Sequence, residues 1–238
     1  SPPMPASIRS IPGKLSSSGL LQVHVVNVQN NFPIQNARVT ITRSGEPSAS
    51  PEQLTTNASG QTGEVSLAAP PLEYSLRPDE NRPYADYNIT VEAPGFRPAT
   101  IEGTEVLPEA TAIQPVRLEP ESDSMPEENP IVIPEHTLYG SYPPKIAETE
   151  IQPVKESGEI VLSRVVVPQT IVVHDGPPTA NARDYYVPYR DYIKNVASSE
   201  IYATWPDSTI RANVLAIMSF TLNRVYTEWY RNKGYDFT

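Results

Sequence analysis

Cysteine is absent from the 238 residues, histidine occurs three times and tryptophan twice. Without thiols there are no disulfides, no thiolate nucleophile and no cysteine-ligated zinc, and the redox compartment stays open. Basic side chains are scarce: 18 Lys and Arg stand against 28 Asp and Glu, a net charge of −10, which argues against nucleic acid as the main partner. No apolar run approaches the ~20 residues of a membrane-spanning helix. The hydrophobic share of 38% lies below the globular norm, so part of the chain is expected outside any packed core. Proline is abundant, 27 residues against 11 glycines. The length fits one large domain or, more often, two. The chain begins at Ser1 rather than Met, so removal of a leader or earlier segment is expected.

Charge is unevenly spread and marks the domains. Residues 1–118 carry 8 basic and 11 acidic side chains, whereas 119–158 carry 2 and 9 together with seven prolines. Such a stretch buries too little apolar area to offset its ordering entropy, and its prolines deny it helix and central strand. It reads as an extended acidic linker, with Ile131-Val132-Ile133 able to add briefly to a neighbouring sheet. A flexible segment, 1–18, precedes the first domain.

Residues 19–118 read as all β. Leu20 to Val28 is apolar and β-branched, and Ala37 to Thr42 alternates as a half-buried strand does. Thr55 to Gly63 is turn chemistry, and Ala93-Pro94-Gly95-Phe96 is a tight turn. Glu64 to Leu67, Tyr87 to Val91 and Ala112 to Leu118 complete a small antiparallel sandwich. The runs Asn36 to Ile41, Thr56 to Leu67, Tyr87 to Phe96 and Val116 to Leu118 resemble the carboxypeptidase-regulatory, transthyretin-like β-sandwich family. That resemblance implies a scaffold or adhesive spacer without a catalytic set. His24 lies inside a strand pattern and reads as packed or partly exposed, not as a ligand. Asn57-Ala58-Ser59 and Asn88-Ile89-Thr90 fit the glycosylation sequon, which matters only in a eukaryotic secretory protein.

The remaining residues, 159–238, combine strand and helix. Glu159 to Leu162 and Arg164 to Val173 are β-rich, broken at Pro168, and Arg183 to Tyr189 is aromatic and irregular. Arg190 to Ser199 reads as a helix. Pro206 pushes Trp205 out of the helical region, and Asp207 caps a second helix running to about Asn232, roughly 37 Å long. Ile210, Val214, Ile217, Met218, Thr221, Leu222, Val225 and Trp229 form one core stripe on it.

The run from Tyr192 through Ser198-Ser199-Glu200-Ile201 to Trp205-Pro206 and the following helix is similar to the signature of the SpoIID family. Val172 to Pro178 and Trp229 to Phe237 look most like its clostridial spore cortex-lytic branch. The resemblance implies an α+β catalytic domain of which 159–238 is the N-terminal part, with the sequence expected to continue beyond Thr238. It implies lytic transglycosylase cleavage of cortex peptidoglycan during germination, in the extracytoplasmic cortex or coat region, with glycan strands as partner. Branch members are made as proforms activated by a protease, so an inhibitory or assembly role for the sandwich is implied. The family's catalytic acid falls on Glu200. Where the family carries Arg-Thr-Tyr this chain has Met218-Ser219-Phe220, and the family's zinc ligands are absent, so neither metal nor other cofactor is expected.

Breaking a MurNAc–GlcNAc bond needs an acid to protonate the leaving oxygen as the sugar becomes oxocarbenium-like. A lytic transglycosylase needs no water, because the muramic C6 hydroxyl attacks C1, so one Glu can serve as acid and then as base. Glu200 must then be protonated at working pH, which calls for an apolar wall; Ile201, Tyr202, Trp205 and the long helix are the candidates. Tyr202 and Trp205 are also candidate sugar-stacking residues, with packing the competing role for Trp205. Ser199 is a candidate partner of Glu200 or substrate and otherwise a helix-end residue; Asp175 is a turn-former with a possible supporting place in the cleft. Two rivals stay open: a non-catalytic wall- or coat-binding protein with the same fold, and a self-assembling sandwich adhesin.

Overall fold

The computed structural model describes residues 14–46, 49–122, 129–138, 166–226 and 230–238. The chain divides into two compact units, Ser1–Gly140 and Ser141–Thr238. The first is a two-sheet β-sandwich built from β1 (Ser17–Asn27), β2 (Arg38–Arg43), β3 (Glu52–Thr55), β4 (Val65–Ala69), β5 (Ala85–Glu92), β6 (Ala99–Val106), β7 (Thr111–Leu118) and β8 (Ile131–Val132), with one helical turn, α1 (Glu73–Leu76). One sheet has the order β4-β1-β7 and the other β3-β2-β5-β6-β8. Pairing is antiparallel except for β1 with β7 and β6 with β8.

Period-two alternation drives the packing. Leu21, Val23 and Val25 of β1 are fully buried and meet Val39 and Ile41 of β2 and Ile89 and Val91 of β5 in one core. β6 needs a correction in phase. Its register against β5 shifts between Tyr87 and Ile89. Gly103, at φ +87°, sits at that irregularity and donates its N–H to Asn88 Oδ1 at 3.2 Å. This bulge lets Ile101 before it and Thr104 and Val106 after it all turn inward.

The expected strands are present, and the structure adds two, β3 and β6. The anticipated turn at 55–63 also supplies buried polar ties. Thr56 Oγ1 accepts from Ala37 N at 2.9 Å and donates to Ile34 O at 2.7 Å; Thr62 Oγ1 accepts from Val23 N at 3.0 Å. His24 is half-buried in β1 and bonded through Nε2 to Gln22 Oε1 at 2.8 Å. Both sequon asparagines hold structural bonds: Asn57 Oδ1 accepts from Ser59 N and Gln61 N, and Asn88 Oδ1 from Ser44 Oγ and Gly103 N. Of the acidic segment 119–158, the described parts 119–122 and 129–138 both lie on the sandwich, the first through a bridge from Pro120 to Phe96 and the second through β8; residues 123–128 and 139–158 lie outside the described residues.

The second unit has a hairpin, β9 (Thr170–His174) and β10 (Asp184–Pro188), followed by α2 (Tyr189–Glu200), α3 (Asp207–Tyr226) and a 3₁₀ turn at Arg231–Lys233. Ile171, Tyr189, Ile193 and Ile217 form its core, flanked by Val214, Met218, Leu222 and Val225 of the expected stripe. β10 replaces the irregular segment expected at 183–189. Its residues Tyr185 and Tyr186 are exposed, so the segment lacks a burial pattern, and pairing with β9 decides its conformation. α3 is regular for 20 residues, about 30 Å. The strand expected at 159–162 and Trp229 lie outside the described residues.

Two substitutions test this account by chemical denaturation. Thr56→Val keeps the shape but strands a buried donor and acceptor, and should cost about 1–3 kcal/mol. Ile113→Ala on β7, where the side chain is 57% exposed, should stay within about 0.5 kcal/mol.

Candidate functional site

The corner between α2 and α3 gathers most of the residues singled out in the sequence. α2 ends at Glu200, and Ile201 turns to extended geometry at φ −143°, ψ 158° while its N–H still reaches Ala197 O at 3.1 Å. Trp205 N donates to Tyr202 O at 3.1 Å, and Pro206 O receives Thr209 N and Ile210 N at 2.9 and 3.1 Å, which launches α3. Proline thus breaks the chain direction, and its carbonyl starts the next helix.

Glu200 is exposed on the last turn of α2. Its Oε2 accepts from Asn213 Nδ2 of α3 at 2.8 Å, and Asn213 Oδ1 is buried with no hydrogen-bond partner. Asn213 was not anticipated. It lies thirteen residues beyond Glu200, and the only advance signal was a polar side chain beside the apolar stripe. Ser198 and Ser199 donate their hydroxyls to Asn195 O at 2.8 and 3.0 Å, so they bond backbone and not Glu200. Tyr202 is 3% exposed and Ile201 is buried; Trp205 is half-buried. The apolar side chains that follow Glu200 are thus buried, while its own side chain is exposed and does not have the apolar wall expected of it.

Asp175 is placed elsewhere. It follows β9 in the bend of the hairpin, exposed, with its N–H donated to Arg183 O at 3.0 Å. The neighbouring His174 is bound through Nδ1 to Asp184 Oδ1 at 2.7 Å and through Nε2 to Ala180 O at 3.2 Å, and its ring stacks on Phe237 at 4.5 Å. A cavity of about 190 Å³ adjoins it, lined in part by Ile171, His174, Phe220, Arg224 and Phe237. Glu200 does not line that cavity. Among the described residues no cluster of three His, Asp or Glu side chains is arranged to hold a metal, and no helix is long and apolar enough to cross a membrane.

No family model matches the chain, and no curated protein matches it. Solved structures with partial similarity include the Bacillus anthracis TIE protein (15% identity, 44% of this chain, 17% of that chain, TM-score 0.30). Another is the minor pilin GBS52 of Streptococcus agalactiae (14% identity, 48% of this chain, 50% of that chain, TM-score 0.31). A third is the 5-hydroxyisourate hydrolase of Klebsiella pneumoniae (23% identity, 44% of this chain, 92% of that chain, TM-score 0.30).

Because Glu200 is exposed and Gln can still accept from Asn213, Glu200→Gln should change folding stability by no more than about 0.5 kcal/mol. Ile217→Ala, which empties the small core beneath, should cost about 2–5 kcal/mol. Thermal melts of both variants check the contrast.

Proposed function

We propose that this chain is a lytic transglycosylase of peptidoglycan, with a SpoIID-like second unit and Glu200 as its acid and base. The observation that carries the reading is the hydrogen bond from Asn213 to Glu200 Oε2, 2.8 Å long, across an open helix corner. It fixes one carboxyl oxygen and leaves Oε1 to carry the proton that the leaving sugar oxygen takes up. The muramic C6 hydroxyl then attacks C1 and returns its proton to the same carboxylate. In this reading the bound glycan itself excludes water from the exposed carboxyl of Glu200. The reading places the protein in the spore cortex or coat region, with the transthyretin-like sandwich restraining or positioning the enzyme until proteolysis.

The exposure of Glu200 favours a second reading, a wall- or coat-binding protein that has kept the corner without turnover. Mass spectrometry of digested cortex peptidoglycan separates the two. The enzyme yields 1,6-anhydromuramic ends, and Glu200→Gln lowers their rate of appearance by about 10²–10⁴. A binder yields none, and Glu200→Gln leaves its affinity for cortex unchanged.

A further inference from the structure

The proposed reaction leaves unused a cluster of ionisable groups at the edge of the five-stranded sheet. The cluster lies where residues 131–136 cross the sandwich as a strap. Backbone holds one end: Ile131 and Val132 pair with Ile101 and Glu102 of β6, and Ile133 N donates to Glu102 O at 2.8 Å. The approach is close enough that a Cβ on Gly103 would meet Ile133 O at 2.6 Å. Ile131 and Val132 are themselves exposed, and Ile133, only partly buried against the sandwich core, is the one apolar anchor at this end.

Polar groups hold the other end. Tyr84, almost wholly buried, donates its hydroxyl to His136 O at 2.8 Å and accepts from His136 N at 3.0 Å. The Tyr84 and His136 rings stack at 5.6 Å. His136 Nδ1 meets Glu105 Oε1 of β6 at 2.7 Å. Arg82 bridges Asp86 of β5 and Glu135 of the strap. Three carboxylates, Asp86, Glu105 and Glu135, thus share one arginine and one histidine. A segment tied by few apolar contacts and a two-residue ladder is the kind that opens locally without global unfolding.

We propose that residues 131–136 form a detachable strap whose closure is linked to protonation of this cluster, closed in mild acid and released as pH rises. The sign follows from Asp86. Burial, and then the facing Glu105 and Glu135, push its carboxyl up to about 6 from 3.8, with Arg82 and His136 opposing. Opening removes Glu135 and His136 and rehydrates Asp86, so its proton is held in the closed state and given up in the open one. A carboxyl whose pKa is raised in the closed state favours that state at low pH, and the advantage is lost as pH climbs through about 6. Release leaves Ile101 and Glu102 as an unpaired ladder on the outer edge of β6. The inference does not depend on the glycosidase reading.

Amide hydrogen exchange on the full chain tests it, after correction for the intrinsic pH dependence of exchange. The protection of Ile133 and His136 should fall about tenfold between pH 5.0 and 7.5 from Asp86 alone, and at both pH values it should stay well below that of core amides such as Ile89, which exchange only when the whole sandwich opens. Asp86→Asn should flatten that slope. Tyr84→Phe should lower protection at both pH values and keep the slope. Equal protection at the two pH values, an undiminished slope in Asp86→Asn, or protection at Ile133 and His136 as high as at Ile89 would each overturn the strap.

Discussion

β1 must present Leu21, Val23 and Val25 to the opposite sheet while its backbone pairs with β4 on one side and β7 on the other. That double demand fixes the first unit, because a slip of one residue would turn all three side chains outward. The loop after β3 secures the register further: Val25 N reaches Gly60 O at 2.7 Å, Thr62 N reaches Val23 O at 3.0 Å, and the Thr62 hydroxyl returns to Val23 N. Gly60, at φ +70°, passes so near that a Cβ would lie 2.4 Å from Val25 O. Hydrophobic burial and backbone ties therefore specify the same alignment.

The second unit works with less. Ile171, Tyr189, Ile193 and Ile217 are its buried core, and α3 lies against the hairpin and α2 through one stripe. Aromatic stacking supplements it: the Phe237 ring stacks with those of His174 and Tyr235, and Thr238 N bonds Val172 O at 3.0 Å. At the α2–α3 corner Tyr202 is buried, and Asn213 ties the second helix to the end of the first through Glu200.

The strands with clean alternation, β1, β2 and β5, were legible because a half-buried strand writes its burial into every second residue. β6 was not, because its glycine bulge breaks that phase midway. β10 was hidden for the opposite reason: Tyr185 and Tyr186 are both exposed, so nothing in composition marks a strand, and only β9 alongside creates one. At the site, Glu200 was brought out by the family resemblance, with Tyr202 and Trp205 as its neighbours in sequence, and the three do share one corner. Asn213 escaped because its significance arises from contact between two helices, which no spacing rule records. The burial of Tyr202, and the placement of Asp175 in the hairpin bend, likewise follow from tertiary packing.

The first and last strands of the sandwich proper, β1 and β7, lie side by side and parallel, matched from Leu20 with Thr111 to Asn27 with Leu118. The chain enters at the start of β1 and, once the strap of residues 131–136 has come away from β6, is held at the end of β7, at the opposite end of that ladder. Tension between entry and exit therefore slides the two strands past one another lengthwise. The whole row of hydrogen bonds must yield together, where an antiparallel pair pulled from one end would peel apart bond by bond. The topology that closes the core also makes this unit a mechanical clamp.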